Sequence, residues 1–266
     1  MYRNNSNISD VIILCGGKGT RLKEETEIKP KPMVEIGGRP ILWHIMKYYA
    51  SFGFRRFILA LGYKGEYIKK YFYDYRFIYG DITLSLNPKT NPKFHSVSEE
   101  KDWEIVCVDT GLETLKGGRI KRLTPYLQSD IFHLTYGDGL SNVNLLDLET
   151  FHRSHGKVGT VTAVRPPSRF GKMVIEGDLV TDFEEKPQLK TGYINGGFFV
   201  FDRRFLDLIS DDVHCDLEFG VLKRLARDRE LMTFRHDDYW QCMDTRRDVD
   251  FLNRLWSLDE APWKAW

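Results

Sequence analysis

The chain is predicted to be an α/β protein, with a mostly parallel central sheet, helices on both faces and a small antiparallel β element in its second half. Three observations predict it. Short apolar runs alternate with amphipathic stretches of helical period through the first half of the chain, which is the pattern of βαβ units. The first run, Val11–Cys15, is wholly apolar and ends in glycines, as a strand buried on both faces does. After Pro166–Pro167 the texture changes, and Lys172–Ile175 and Leu179–Glu184 read as a hairpin.

The remaining elements follow in order. Pro40–Phe52 is a helix: Pro40 suits its first turn, Ile41, Leu42, Ile45, Met46 and Tyr49 make one apolar stripe, and Gly53 can close it. Phe57–Leu61 is a strand and Gly65–Tyr75 a helix. Ile82–Leu86 and Ile105–Val108 are strands, separated by a surface excursion, Asn87–Asp102, with two prolines and mixed charge. Gly118–Leu127 is a short basic helix, Ile131–Tyr136 a strand, Leu145–His155 a helix and Val158–Val164 a strand. Then come a strand at Tyr193–Phe201, helical stretches at Arg203–Ile209 and Leu217–Arg227, a strand at Leu231–Phe234 and a helix at Thr245–Trp256.

Composition excludes several classes. With 266 residues, 42% hydrophobic and 29% charged, the chain can bury a full core and is not disordered. A net charge of +1 argues against a protein that coats nucleic acid. No apolar run approaches the ~18 residues of a membrane span. The four cysteines form no C-x-x-C pair, which speaks for free thiols in a reducing cytoplasm. Met1–Asp10 is polar, with three Asn, and reads as a flexible extension rather than a signal peptide. Residues 11–266 are expected to form a single domain of two halves, about 11–165 and about 166–266.

In open α/β sheets ligands sit outside the carboxyl ends of the strands, so the residues that follow strands are the candidates. The first strand ends at Leu14 and continues Cys15-Gly16-Gly17-Lys18-Gly19-Thr20-Arg21-Leu22. Three glycines in four positions let backbone N–H groups turn toward an anion. A dinucleotide fingerprint would need Gly at position 22, which is Leu22. A P-loop would need Gly at position 12, which is Ile12, and Ser or Thr in place of Gly19. Downstream, Lys29-Pro30-Lys31-Pro32-Met33 holds Lys31 in a stiff, extended segment.

Gly137-Asp138-Gly139 follows the Ile131–Tyr136 strand. Alone it reads as a turn. Asp244, just before the final helix, reads equally well as an N-cap. Both are also hard-oxygen candidates for a metal, which one fold-dependent approach would bring together. Phe183-Glu184-Glu185-Lys186-Pro187 alone is a charged hairpin end. Asn195-Gly196-Gly197 places paired glycines in a strand, a mark of close approach. His152 and His155, and the pair Lys121 and Arg122, are expected on solvated helix faces.

Gly-Gly-x-Gly-Thr-Arg-Leu at 16–22, followed by Pro-Lys-Pro-Met at 30–33, resembles the signature of the sugar-1-phosphate nucleotidyltransferase family. The resemblance implies that Leu14, Gly16, Gly17, Gly19 and Thr20 wrap a nucleoside triphosphate, and that Arg21 and Lys31 neutralise the reacting phosphates. It implies that Asp138 and Asp244 hold Mg²⁺, Asp138 lying also against the nucleotide. On the acceptor side it implies Glu185 for sugar hydroxyls, Lys186 for the sugar phosphate, and Tyr136, Asn195 and Gly196 for the sugar phosphate as a whole.

Val108-Asp-Thr-Gly111, Gly117-Gly-Arg-Ile-Lys-Arg122, Tyr136-Gly-Asp-Gly139, Ile194–Val200 and Ala261-Pro-Trp-Lys264 are similar to the branch of that family that joins CTP to glucose 1-phosphate. This similarity runs from about Val11 to Trp266. It implies Thr110 and Gly111 near the cytosine and Arg119 near the nucleotide. Two positions depart from the pattern: Lys116 stands where Thr is common, and, although Glu218 matches an acidic position, Gly220 stands where a second acidic residue is common. The implied reaction transfers CMP to α-D-glucose 1-phosphate and releases pyrophosphate, in a cytoplasmic homo-oligomer that feeds CDP-deoxysugar and O-antigen synthesis. Its nucleophile is already an anion, so no general base is needed. Another donor (UTP or dTTP) or another hexose 1-phosphate is the main alternative, and a non-catalytic nucleotide-sensing homologue a second. A nicotinamide-dependent dehydrogenase is disfavoured by Leu22 and the Lys-Pro-Lys-Pro segment.

Overall fold

The computed structural model describes residues 9–87, 89–95, 99–166, 172–176, 179–184 and 192–266. Its strands, in chain order, are β1 (Asp10–Leu14), β2 (Arg56–Leu61), β3 (Glu104–Asp109), β4 (Ile131–Tyr136), β5 (Gly139–Ser141), β6 (Gly159–Val164), β7 (Lys172–Glu176), β8 (Leu179–Glu184), β9 (Ile194–Asp202), β10 (Leu231–His236) and β11 (Trp240–Cys242). The main helices are α1 (Ile41–Ser51), α2 (Gly65–Tyr73), α3 (Lys116–Arg122), α4 (Leu145–His155), α5 (Lys223–Arg227) and α6 (Arg246–Ser257).

Seven strands make the central sheet, in the order β10–β6–β9–β4–β1–β2–β3. All neighbours run parallel except β9, which is antiparallel to β4 and β6. Alternation along β1 divides the core. Val11 and Ile13 face a cluster with α1 and Phe57, while Ile12 faces one with Phe132, Phe199 and Phe205. Apolar residues are thus buried on both faces, as the parallel pattern predicts. β7 and β8 form the expected separate antiparallel hairpin. No helix among the described residues is long and apolar enough to cross a membrane.

Several elements differ from the sequence reading. β1 starts at Asp10, which is buried and belongs to the sheet rather than to an extension. Its carboxylate accepts from the Gln128 and Ser129 N–H groups and pairs with Arg56. The expected strand at 82–86 shrinks to Ile82–Thr83, paired with Lys93–Phe94 inside the excursion. The basic helix starts early, at Lys116, and ends at Arg122. A short turn, Thr124–Tyr126, follows it, where Pro125 has no N–H to continue the ladder. Leu217–Leu222 is a π-turn that leads into α5.

The solvated helix faces are also corrected. Lys121 donates to the Leu206 carbonyl at 2.6 Å and Arg122 to the Thr110 carbonyl at 2.7 Å. His152 and His155 both meet the Thr160 hydroxyl, at 2.9 and 2.8 Å. They fasten α4 to β6, and burial holds the His152 imidazole down at about 4.

One small element decides the site. β5 and β11 pair antiparallel, Gly139 opposite Cys242 and Ser141 opposite Trp240. This ladder ties the turn after β4 to the segment before α6.

Candidate active site

The glycine loop leaves β1 between two neighbouring strands. The Cys15 N–H donates to the Ala60 carbonyl at 3.0 Å, and the Gly137 N–H to the Leu14 carbonyl at 3.1 Å. Beneath the loop lies Arg119, 5% exposed. One guanidinium nitrogen donates to the Leu61 carbonyl, the Thr110 hydroxyl and the Gly111 carbonyl at 2.7–2.9 Å. The other donates to the carbonyls of Gly16 and Leu112 at 3.1 and 3.0 Å. A Cβ at position 16 would lie 2.2 Å from that guanidinium, so the close approach demands glycine there. Burial and the neighbouring Arg122 pull the Arg119 pKa below its ordinary value.

This places Thr110, Gly111 and Arg119 in an internal strut. The Thr110 hydroxyl donates inward to the Leu61 carbonyl at 2.6 Å, and its side chain has no exposure. Arg119 lines the cavity, but its donors are engaged by the protein. The wall beside it is made instead by Thr114, Leu115 and Lys116.

Arg21 and Lys31 meet the two candidate carboxylates. Lys31 Nζ lies 2.7 Å from Asp138 Oδ2 and 2.6 Å from Asp244 Oδ1, and Arg21 lies 2.5 Å from Asp244 Oδ2. The Lys31 side chain is 12% exposed. Burial alone would depress its ammonium, yet Asp138 and Asp244 together hold it above the ordinary value. Burial would raise the Asp244 carboxyl, but Lys31 and Arg21 hold it below. Cys242, 3.8 Å from Asp244, is pushed up to about 12 by burial and then by the two carboxylates, so its thiol stays protonated.

Asp244 does not cap α6. That place belongs to Thr245, whose side chain and that of Asp248 form a capping box. Asp248 also accepts from the Asp244 N–H at 3.0 Å. The carboxylate of Asp244 is thereby left to the site.

On the other side of the cavity, Asn195 Nδ2 donates to the Tyr136 hydroxyl at 3.1 Å, and that hydroxyl donates to Glu218 at 2.7 Å. Burial and the facing Glu218 carboxylate raise the Tyr136 pKa. The paired glycines of β9 mark a close approach by the protein itself. A Cβ at Gly197, where φ is +81°, would lie 2.5 Å from the Tyr136 ring. Trp240 Nε1 donates to the Gly196 carbonyl at 2.7 Å. Glu185 and Lys186 lie outside the described residues.

All of this surrounds one cavity of about 620 Å³, lined by Leu14, Gly16, Gly17, Gly19 and Thr20 on one side and by Tyr136, Asn195 and Gly196 on the other, with Lys31, Asp138 and Asp244 between them. The profile of the family described as nucleotidyl transferase matches residues 10–245, a span that contains loop, carboxylates and Asn195. The chain belongs to the nucleotidyl transferase family. It is 46% identical over 256 residues to glucose-1-phosphate cytidylyltransferases of Salmonella typhi and Salmonella typhimurium, covering 96% of this chain and 98% of each relative. It also resembles the solved structure of HddC from Yersinia pseudotuberculosis complexed with GMP-PN (TM-score 0.60, 27% identity, 93% of this chain and 99% of that one). The fold alone is shared with the inositol-1-phosphate CTP transferase from T. maritima (TM-score 0.62, 16% identity, 94% and 97% covered).

As a nucleotidyl transferase, the protein has a donor set that suits a hard divalent cation. Two carboxylates stand side by side, each bonded to the same ammonium. Among the described residues no group of three or more His, Cys, Asp or Glu is placed to cage a metal. Two carboxylates fit Mg²⁺, which keeps waters and takes substrate phosphates as further ligands. Sequence reasoning left Thr114, Leu115, Asp216, Trp240 and Cys242 out of the site, and noted Glu218 only as an acidic position. The direction of Glu218 gave no local signal, because a π-turn sets where it points, and Asp216 caps that turn by accepting from the Phe219 N–H at 2.6 Å. Trp240 and Cys242 could have been found from the W-Q-C-M-D segment that carries Asp244.

Proposed function

We propose that the protein transfers CMP from CTP to α-D-glucose 1-phosphate, giving CDP-glucose and pyrophosphate. The observation that carries the reading is the meeting of Lys31, Asp138 and Asp244 on the floor of a cavity walled by the glycine loop. The choice of CTP and glucose 1-phosphate is supported by the near full-length similarity to the Salmonella enzymes.

A phosphate oxygen of the sugar phosphate attacks the α-phosphorus of CTP. The bond from that phosphorus to the bridging oxygen of the β-phosphate breaks, and its electrons leave with pyrophosphate. No proton has to move, and no His lines the cavity among the described residues. The obstacle is repulsion between two polyanions, so catalysis rests on positioning and fixed positive charge. Gly16, Gly17 and Gly19 offer backbone N–H groups to the triphosphate. Arg21 and Lys31, held by carboxylates in the free protein, turn their donors to the reacting phosphates, and Lys186 holds the sugar phosphate. Asp138 and Asp244 would hold Mg²⁺, which when bound neutralises phosphate charge as a Lewis acid. Glu185, Asn195 and Gly196 meet the sugar. The strut of Thr110, Gly111 and Arg119 sets the shape of the base side.

A second reading keeps the chemistry and changes the donor. It is favoured by the likeness to HddC, whose structure holds GMP-PN. Pyrophosphate release, measured across four nucleoside triphosphates and several sugar 1-phosphates with and without Mg²⁺, separates the two. Turnover confined to CTP and glucose 1-phosphate is expected; a different preferred pair overturns the assignment. A homo-oligomer, a cytoplasmic site and a role in CDP-deoxysugar and O-antigen synthesis belong to the same proposal.

A further inference from the structure

One group of cavity side chains is linked to itself rather than to the carboxylate centre. Lys116, at the start of α3, pairs with Oε1 of Glu218 and stands 4.9 Å over the Tyr136 ring. The Tyr136 hydroxyl donates to the same Oε1 at 2.7 Å. Asn195 donates to that hydroxyl, while its own Oδ1 accepts from the Gly197 N–H at 2.9 Å. The four side chains come from α3, β4, β9 and the π-turn, so they join both halves of the chain. Glu218 Oε2 has no partner among the described residues, although the side chain lines the cavity.

A half-buried carboxylate is a liability in a cavity that must admit two phosphorylated anions. Lys116 removes that liability: among the described residues that line the cavity, cationic and carboxylate side chains balance one for one. What a neutralised glutamate with one open oxygen can take is a neutral O–H donor, not a phosphate. We propose that Glu218 is an acceptor-specificity residue that receives a hexose hydroxyl at Oε2, and that Lys116 is the positioning residue that fixes and neutralises it against Tyr136. This rests on the reading of the acceptor as a hexose 1-phosphate.

The test is steady-state kinetics of the full chain, with the triphosphate and the hexose 1-phosphate that the wild type turns over best, each varied in turn. Glu218→Gln is expected to raise the KM of the acceptor about 10–100-fold, the range for a hydrogen bond to a charged group, with the KM of the triphosphate within about 2-fold. One monodeoxy acceptor is expected to be poor for the wild type and no poorer than the parent sugar for Glu218→Gln. Lys116→Thr is expected to raise the acceptor KM about tenfold, an effect that salt weakens, and Lys116→Arg to restore it. The double variant Lys116→Thr/Glu218→Gln is expected to be no worse than Glu218→Gln alone, because no charge is left to neutralise. Equal rises in both KM values, or additive losses in the double variant, overturn the inference and leave the proposed reaction standing. Calorimetric binding of the hexose 1-phosphate makes the same comparison without turnover. A wild type that binds no hexose 1-phosphate sinks the functional reading and this inference together.

Discussion

The Met243 N–H donates to the Asp138 carbonyl at 2.8 Å, and this one bond sets the two carboxylates of the centre side by side. It extends the ladder in which Gly139 faces Cys242. Asp138 precedes one strand of that ladder and Asp244 follows the other, so both side chains come within reach of Lys31. Neither residue could be assigned to the other from spacing. The pairing of β5 with β11 makes the assignment.

Asp138→Asn is expected to lower kcat by about 10²–10³-fold or more without unfolding the protein, since Lys31 keeps Asp244 as a partner. Pyrophosphate release across a Mg²⁺ titration, with a melting curve, checks it. Near-normal turnover at modest Mg²⁺ would remove Asp138 from the metal site.

Asp248→Ala is expected to cost about 0.5–2 kcal/mol, the range for a lost helix cap. It also frees the Asp244 backbone, whose N–H is held by Asp248 at 3.0 Å. Turnover should therefore fall further than Thr245→Gly makes it fall, because that change weakens the cap while leaving Asp248 in place. Denaturant unfolding and kcat, measured on both variants, test the difference.

Arg119→Met is expected to destabilise the fold by about 2–4 kcal/mol, because it removes five charge-assisted hydrogen bonds at once and takes the guanidinium donor from the Gly111 and Leu112 carbonyls. The corresponding fall in melting temperature is about 5–10 °C. The loop should lose its anchor as well, so the KM for the triphosphate rises. A variant that melts like the wild type would show that Arg119 is not the strut.

Acid is expected to unfold the protein in two stages. His44 and His152 are held at about 4 by burial, against 6.5 in the unfolded chain. Groups of depressed pKa contribute stability that is full above the unfolded value and is lost as pH falls toward the folded one. The first loss therefore runs from about pH 6.5 to about pH 4. Burial would raise Glu149, but His133 and Arg153 hold it at about 2 against 4.5, so a second loss follows below about pH 4.5, of about 1–3 kcal/mol. Burial lowers the pKa of His133 itself, although Glu149, which accepts from its Nε2–H at 3.0 Å, works against that shift. Glu149→Gln should flatten the lower part of the stability curve and leave the upper part unchanged.

Local signals carried the parallel sheet and the loop. The apolar runs of β1, β2 and β4 and the three glycines before Arg21 are each readable within a few residues. What was not legible depends on contacts across the chain. The resemblance puts Arg119 near the nucleotide, and only the five acceptors around it show that it is also a strut. Asp244 looks like a cap until Thr245 takes that place. Lys121 and Arg122 look solvated because a helix face shows nothing of the carbonyls packed against it. Glu218 was noted but not placed, since a π-turn aims side chains differently from the helix that the periodicity suggests.

The short ladder of β5 and β11 also bears on how the protein acquires its activity. It closes late in the chain and over a long loop, and contacts of that kind tend to form after local ones. Every strand from β1 to β4 can be in place before Asp244 meets Lys31. On refolding, far-ultraviolet ellipticity should therefore recover ahead of turnover. A nascent chain released before residue 244 would have the glycine loop but not the carboxylate pair.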